Sequence, residues 1–104
     1  MNITNNTCDG VLTVSLSGEL DHHGAADVRK SIDALIDKES PKKLLLRLKD
    51  VHFCDSSGLG LIMGRYRKAR AVGADIAVGD PSAAVEKIMR LAGLDKLIKI
   101  ERSN

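Results

Sequence analysis

Leu44-Leu45-Leu46-Arg47-Leu48 is a nearly continuous apolar run in a chain of 104 residues. A run with so little polar alternation suits a central strand covered on both faces, as in a parallel sheet. Parallel neighbours need crossover connections, usually helical, and the flanking segments supply them. Upstream, Ala25, Val28, Ile32, Leu35 and Ile36 recur at helical spacing. They predict the buried stripe of a helix from Gly24 to Lys38, with Asp27, Arg29, Lys30, Asp33 and Asp37 on its solvent side. Glu39-Ser40-Pro41 ends it. Downstream, Val51 and Phe53 are expected to continue the core beyond Asp50. A second helix begins near Ser56 or Ser57, where Leu59, Ile62, Met63 and Tyr66 share one face, and Gly73 suits the position just past its end.

The remaining segments follow the same alternation. Asp9-Gly10 is a strong hairpin signal, with Ile3 to Cys8 as an edge strand on one side. On the other side, Val11 to Ser17 alternates apolar and polar residues, as a half-buried strand does. Asp21 is expected to cap the first helix. Asp75 to Val78 reads as a short strand, and Asp80-Pro81 as the cap and first residue of a third helix. That helix turns Val85, Ile88, Met89 and Ala92 inward and closes at Gly93. Leu94 to Leu97 adds a turn, and Ile98 to Glu101 a last strand. The order β-β-α-β-α-β-α, with a final β, predicts a single α/β domain over residues 1–104.

Composition narrows the function. Hydrophobic residues at 43% and charged residues at 29% describe an ordinary globular chain. A net charge of +2, with Tyr66 and Phe53 as the only aromatics besides histidine, argues against direct nucleic-acid binding. Cys8 and Cys54 make no disulfide framework or redox pair, which points to the cytoplasm. The N-terminal segment carries no signal-peptide pattern. No apolar run approaches the roughly 20 residues of a membrane span.

Chemistry is expected where strands end and helices begin, the usual binding edge of open α/β sheets. Asp21, Asp55 and Asp80 all fall there, beside Glu19, and for Asp80 capping alone explains the position. Asp55-Ser56-Ser57-Gly58-Leu59-Gly60 opens the second helix with two glycines. They cost about 1 kcal/mol each relative to alanine and suggest a backbone left open to another molecule. The segment lacks a Walker lysine, the dinucleotide glycine spacing and a nucleophile elbow. His22, His23 and His52 are candidate bases for Ser56, but nothing in the sequence orients them. His22-His23 has no clear third metal ligand. Arg65, Arg67, Lys68 and Arg70 read as a solvated basic cluster complementing the helix C-terminus.

Two stretches carry a family resemblance: Gly18-Glu19-Leu20-Asp21-His22-His23, and Phe53 to Tyr66 with its Asp-Ser-Ser-Gly-Leu-Gly core. The chain resembles bacterial anti-sigma factor antagonists of the STAS domain family, nearest to the sporulation branch that counters the anti-sigma-F factor. The resemblance implies a small mixed sheet of four to five strands with helices packed against it. It implies a phosphoprotein with no catalytic residues or metal of its own, switched by phosphorylation at Ser56. The partner edge it implies comprises Glu19, Asp21, Asp55, Ser56, Ser57, Gly58, Leu59 and Gly60. The partners it implies are an anti-sigma factor serine kinase, which brings ATP and Mg²⁺, and a PP2C-type phosphatase. The free chain is expected to be a monomer in the cytoplasm, without nucleic acid or membrane contact. Other readings are a STAS signalling module of a stress complex, a small serine hydrolase, or a nucleotide-binding enzyme. Cys54, where methionine is frequent, and Asp80-Pro81-Ser82 depart from the sporulation pattern.

Overall fold

A computed structural model describes residues 1–103. β1 (Asn2–Cys8) and β2 (Val11–Leu20) form a hairpin, followed by α1 (Ala25–Glu39), β3 (Lys43–Cys54), α2 (Ser56–Ala71), β4 (Asp75–Gly79), α3 (Ala83–Leu91), a single 3₁₀ turn and β5 (Lys99–Glu101). The five strands form one sheet in sequence order, antiparallel between β1 and β2 and parallel thereafter. The hairpin turn is as expected: Asp9 and Gly10 both take positive φ, at 52° and 81°.

The core lies on one face of the sheet. Leu12 pairs with Leu44, and Val14 with Leu46, which pairs in turn with Val78. All are buried, in one cluster with Val28, Ile32 and Ile36 of α1, Leu61 and Ile62 of α2, and Val85 and Met89 of α3. Each crossover moves one strand along in the same direction. Right-handed connections therefore put all three helices on that face. This corrects the expectation of a central strand covered on both faces. Leu45 and Arg47 are only half-buried. Their side chains lie over Gly79, where an added Cβ would come within 3.2 Å of Leu45 Cδ1 and 3.3 Å of Arg47 Cγ.

Phe53 also departs from expectation: it is 49% exposed. The register explains it. Ser15 pairs with Arg47 but Ser17 with Asp50, and Gly18 pairs with Val51 but Glu19 with Phe53. Each shift adds a residue on β3, and each extra residue reverses which side faces the core. Val51 and Cys54 turn inward and Phe53 turns out.

In α2 the buried stripe is Gly58, Leu61, Ile62, Arg65 and Ala69. Leu59, Met63 and Tyr66, expected to share one face with Ile62, flank this stripe half-buried against the core. In α3, Val85 and Met89 are buried, Ile88 is half-buried and Ala92 is exposed at the C-cap. Arg65 leaves the solvated cluster altogether. Its side chain is 6% exposed, and Nε lies 2.9 Å from Asp33 Oδ1. The approach is a charge contact without aligned hydrogen-bond geometry. Burial lowers the guanidinium's pKa, and Asp33 opposes that effect. Lys68 likewise reaches Asp37, at 2.8 Å. The acidic face of α1 thus grips α2.

Candidate functional site

The parallel strands β2 and β3 end side by side, with Glu19 next to Phe53 and Leu20 next to Cys54. The Asp55 N–H donates to the Leu20 carbonyl at 3.3 Å. This bond ties the start of α2 to the end of β2. Asp55 then caps α2: Oδ1 accepts from Ser57 N–H at 2.8 Å and from Gly58 N–H at 3.1 Å. Its other oxygen, Oδ2, stands 4.0 Å from His22 Nδ1. One carboxylate thereby orients the first turn of α2 and faces the loop leading to α1.

That cap decides what the next residues present. Ser56, the first residue of α2, is exposed, and Ser57 is half-buried. Gly58 is buried, and its missing side chain serves internal packing. A Cβ there would lie 2.4 Å from the Leu20 carbonyl oxygen and 2.7 Å from Cys54 Sγ. The expectation that both glycines open the backbone to another molecule fails at Gly58. It holds at Gly60, which is exposed with open space where a Cβ would be. Leu59 is half-buried against the core. Cys54, beneath this turn, is buried, and burial followed by the Asp55 charge pushes its pKa up to about 11.

Asp21 is not the cap of α1. Gly24 occupies that position without a side-chain bond, and Asp21 Oδ1 accepts from His23 N–H at 3.0 Å. The carboxylate closes a local turn instead, and the helix begins four residues later. Glu19 and Asp21 line one shallow depression with Met1, His23 and Gly24. Ser57 and Gly60 line another with His22, Ala25, Ala26, Arg29 and Leu61. The rings of His22 and His23 lie 4.0 Å apart, centroid to centroid. The edge therefore gathers Glu19, Asp21, Asp55 and Ser56 around the double-histidine loop. It adds one residue that sequence reasoning missed, the exposed Phe53. Its only signal was the switch from period two to a spacing of three among Leu48, Val51 and Cys54.

Asp80 belongs elsewhere. Ser82 caps α3 through its hydroxyl, which accepts from Val85 N–H at 3.2 Å. Asp80, at φ 50°, holds the C-terminal segment. It accepts from Ser103 N–H and Ser103 Oγ, each at 2.7 Å, and from Arg47 Nη2 at 3.1 Å. The expected Asp80 cap fails because the chain turns there before α3 begins.

The profile of the family described as STAS domain matches residues 2–104. An anti-sigma F factor antagonist of Paenibacillus polymyxa is 43% identical over 91 residues, covering 88% of this chain and 78% of the relative. The structure of the anti-sigma factor antagonist SpoIIAA in its unphosphorylated form has a TM-score of 0.84 at 27% identity, covering 99% of this chain and 89% of that one. That of the Bacillus cell fate determinant SpoIIAA in the phosphorylated form has a TM-score of 0.77 at 26% identity, covering 99% and 92%.

Proposed function

This chain belongs to the STAS domain family, and on that premise we propose that it is an anti-sigma factor antagonist gated by phosphorylation of Ser56. The unphosphorylated chain binds an anti-sigma factor serine kinase and frees the sigma factor. The phosphorylated chain lets go, and a PP2C-type phosphatase resets it in the cytoplasm. The observation that carries the reading is the Asp55 cap, which leaves Ser56 exposed as the first residue of α2.

The chemistry needs little from this chain. Ser56 Oγ attacks the terminal phosphorus of ATP held by the kinase with Mg²⁺. The new O–P bond forms as the bond to ADP breaks, and the hydroxyl proton passes to a base on the kinase. Asp55 is occupied with two helix amides, so its role is to hold the serine's turn. A phosphoryl group adds about −1.5 to −2 charge at neutral pH. The amides of α2 favour that charge. Asp55 and Glu19 disfavour it, and so does a partner already carrying nucleotide phosphates. Binding is lost by repulsion at the edge with no change of fold. Glu19, Asp21, Asp55, Ser56, Ser57, Leu59 and Gly60 form the contact edge, with Phe53 as an apolar anchor. Gly58 shapes it from beneath.

Titration of the wild type, Ser56→Ala and Ser56→Asp against the anti-sigma kinase in ADP tests the reading. Ser56→Ala should bind like the wild type and resist phosphorylation, and Ser56→Asp should bind poorly. Equal affinity for the two variants, or phosphate mapped to Ser57 alone, would overturn it.

A further inference from the structure

Among the described residues, β1 is an outer edge of the sheet and pairs only with β2. Exposed edges usually carry lysine, proline or a bulge that discourages another strand. Asn2-Ile3-Thr4-Asn5-Asn6-Thr7-Cys8 has no charge and no proline, and its register against β2 is unbroken. In a two-residue hairpin the flanking pair, here Cys8 and Val11, exchanges both backbone bonds. Alternation from that pair turns the N–H and C=O groups of Ile3, Asn5 and Thr7 outward.

α1 runs beside this edge. Ile3 and Asn5 line a groove of about 390 Å³ with Ser31, Ala34 and Leu35. Ile3 and Asn5 therefore lie beside the stretch of α1 from Ser31 to Leu35. Asp27, Ser31, Ala34 and Lys38 follow one exposed strip of the helix. The ion pairs of α1 use Asp33 and Asp37. Among the described residues, Asp27 and Lys38 have no ion-pair partner.

We propose that this edge docks a second copy of the chain in a two-fold dimer, with β1 against β1 and α1 beside α1, both antiparallel. With the axis at Asn5, Asn5 meets its own counterpart and Ile3 meets Thr7, pairing the outward N–H and C=O groups. The same axis passes beside Ser31 and Ala34 and sets Asp27 opposite Lys38 on both sides. A strip that is acidic at one end, small in the middle and basic at the other complements itself only in the antiparallel sense. A two-fold axis imposes that sense. None of Glu19, Asp55 and Ser56 lies on β1 or α1. The contact is modest, so the dilute chain is a monomer and pairing appears as concentration rises.

Sedimentation equilibrium on the full chain, from about 10 μM to about 1 mM, should show a monomer–dimer equilibrium within that range. Asp27→Lys and Lys38→Asp should each weaken it by about tenfold or more, and the double exchange should restore it. Asn5→Pro removes only an outward N–H, so it should abolish dimerisation while its circular dichroism spectrum and melting stay near wild type. A chain that stays monomeric at about 1 mM overturns the proposal. So does a dimer that ignores both the charge exchange and Asn5→Pro.

Discussion

Gly58 faces the carbonyl of Leu20 so closely that a Cβ would stand 2.4 Å from the oxygen. Alanine there must push β2 and α2 apart, a strain of about 1–3 kcal/mol. Gly60 has open space, and alanine there should stabilise α2 by up to about 1 kcal/mol. Urea unfolding should thus move in opposite directions for Gly58→Ala and Gly60→Ala. If Gly60 meets the kinase, Gly60→Ala should still weaken binding despite its gain in stability.

The two aspartates at this edge should separate cleanly. Asp55→Ala removes the side-chain acceptor for two helix amides and should cost about 1 kcal/mol. Asp21→Ala removes one turn contact to His23 and should cost no more than about 0.5 kcal/mol. Equal losses in denaturant titrations would show that Asp21 does more for α1 than close its turn.

Glu19 is exposed at the end of β2 and caps nothing. Glu19→Lys should leave the melting temperature nearly unchanged and weaken kinase binding by about 2 kcal/mol or more. Calorimetric titration with the kinase in ADP measures it. Wild-type affinity in the folded variant would remove Glu19 from the interface.

Removing Asp33 strands a buried guanidinium, because Arg65 is 6% exposed in its side chain. Asp33→Ala should cost about 2 kcal/mol, less than a fully buried pair would, since Asp33 is partly solvated. The double variant Asp33→Ala with Arg65→Met should recover most of that loss. A double-mutant cycle with no coupling would mean that the two charges act independently.

The C-terminal clasp should loosen in acid. Hydrogen bonds from Ser103, then the Arg47 charge, lower the Asp80 pKa, and bonds from Arg102 and Arg90 lower that of Glu86. A depressed carboxylate stabilises the fold above its ordinary pKa. That contribution is lost as pH falls through the ordinary value toward the lowered one. Amide exchange at Ser103 should therefore stay slow at neutral pH and, after correction for intrinsic rates, accelerate in acid. Asp80→Asn should remove most of that pH dependence.

Much of the fold was legible because the hydrophobic periods are clean. The Asp9-Gly10 turn, the α1 stripe, the Asp55 cap and the closing glycines at 73 and 93 are local signals, and local chemistry decided them. Asp21 fails as a cap through a local turn to His23, but three other failures share a cause: a distant partner outweighed the local pattern. Asp80 reads as a cap until the C-terminal segment arrives to claim its carboxylate. Arg65 reads as solvated until α1 brings Asp33 to it. Phe53 reads as core beside Val51 until the second register shift, between those two residues, turns it outward. At the site, Ser56 and Asp55 could be placed from the motif. The packing role of Gly58 could not, since it depends on where the Leu20 carbonyl ends up.

The strand order of the sheet is the order of synthesis. From β2 onward, each strand pairs with the one made just before it. Each strand and the helix before it can add to a growing edge, which keeps loop closures short and folding fast. The edge around Ser56 draws on β2, β3, the loop into α1 and the start of α2. It can therefore assemble while α3 and β5 are still being translated.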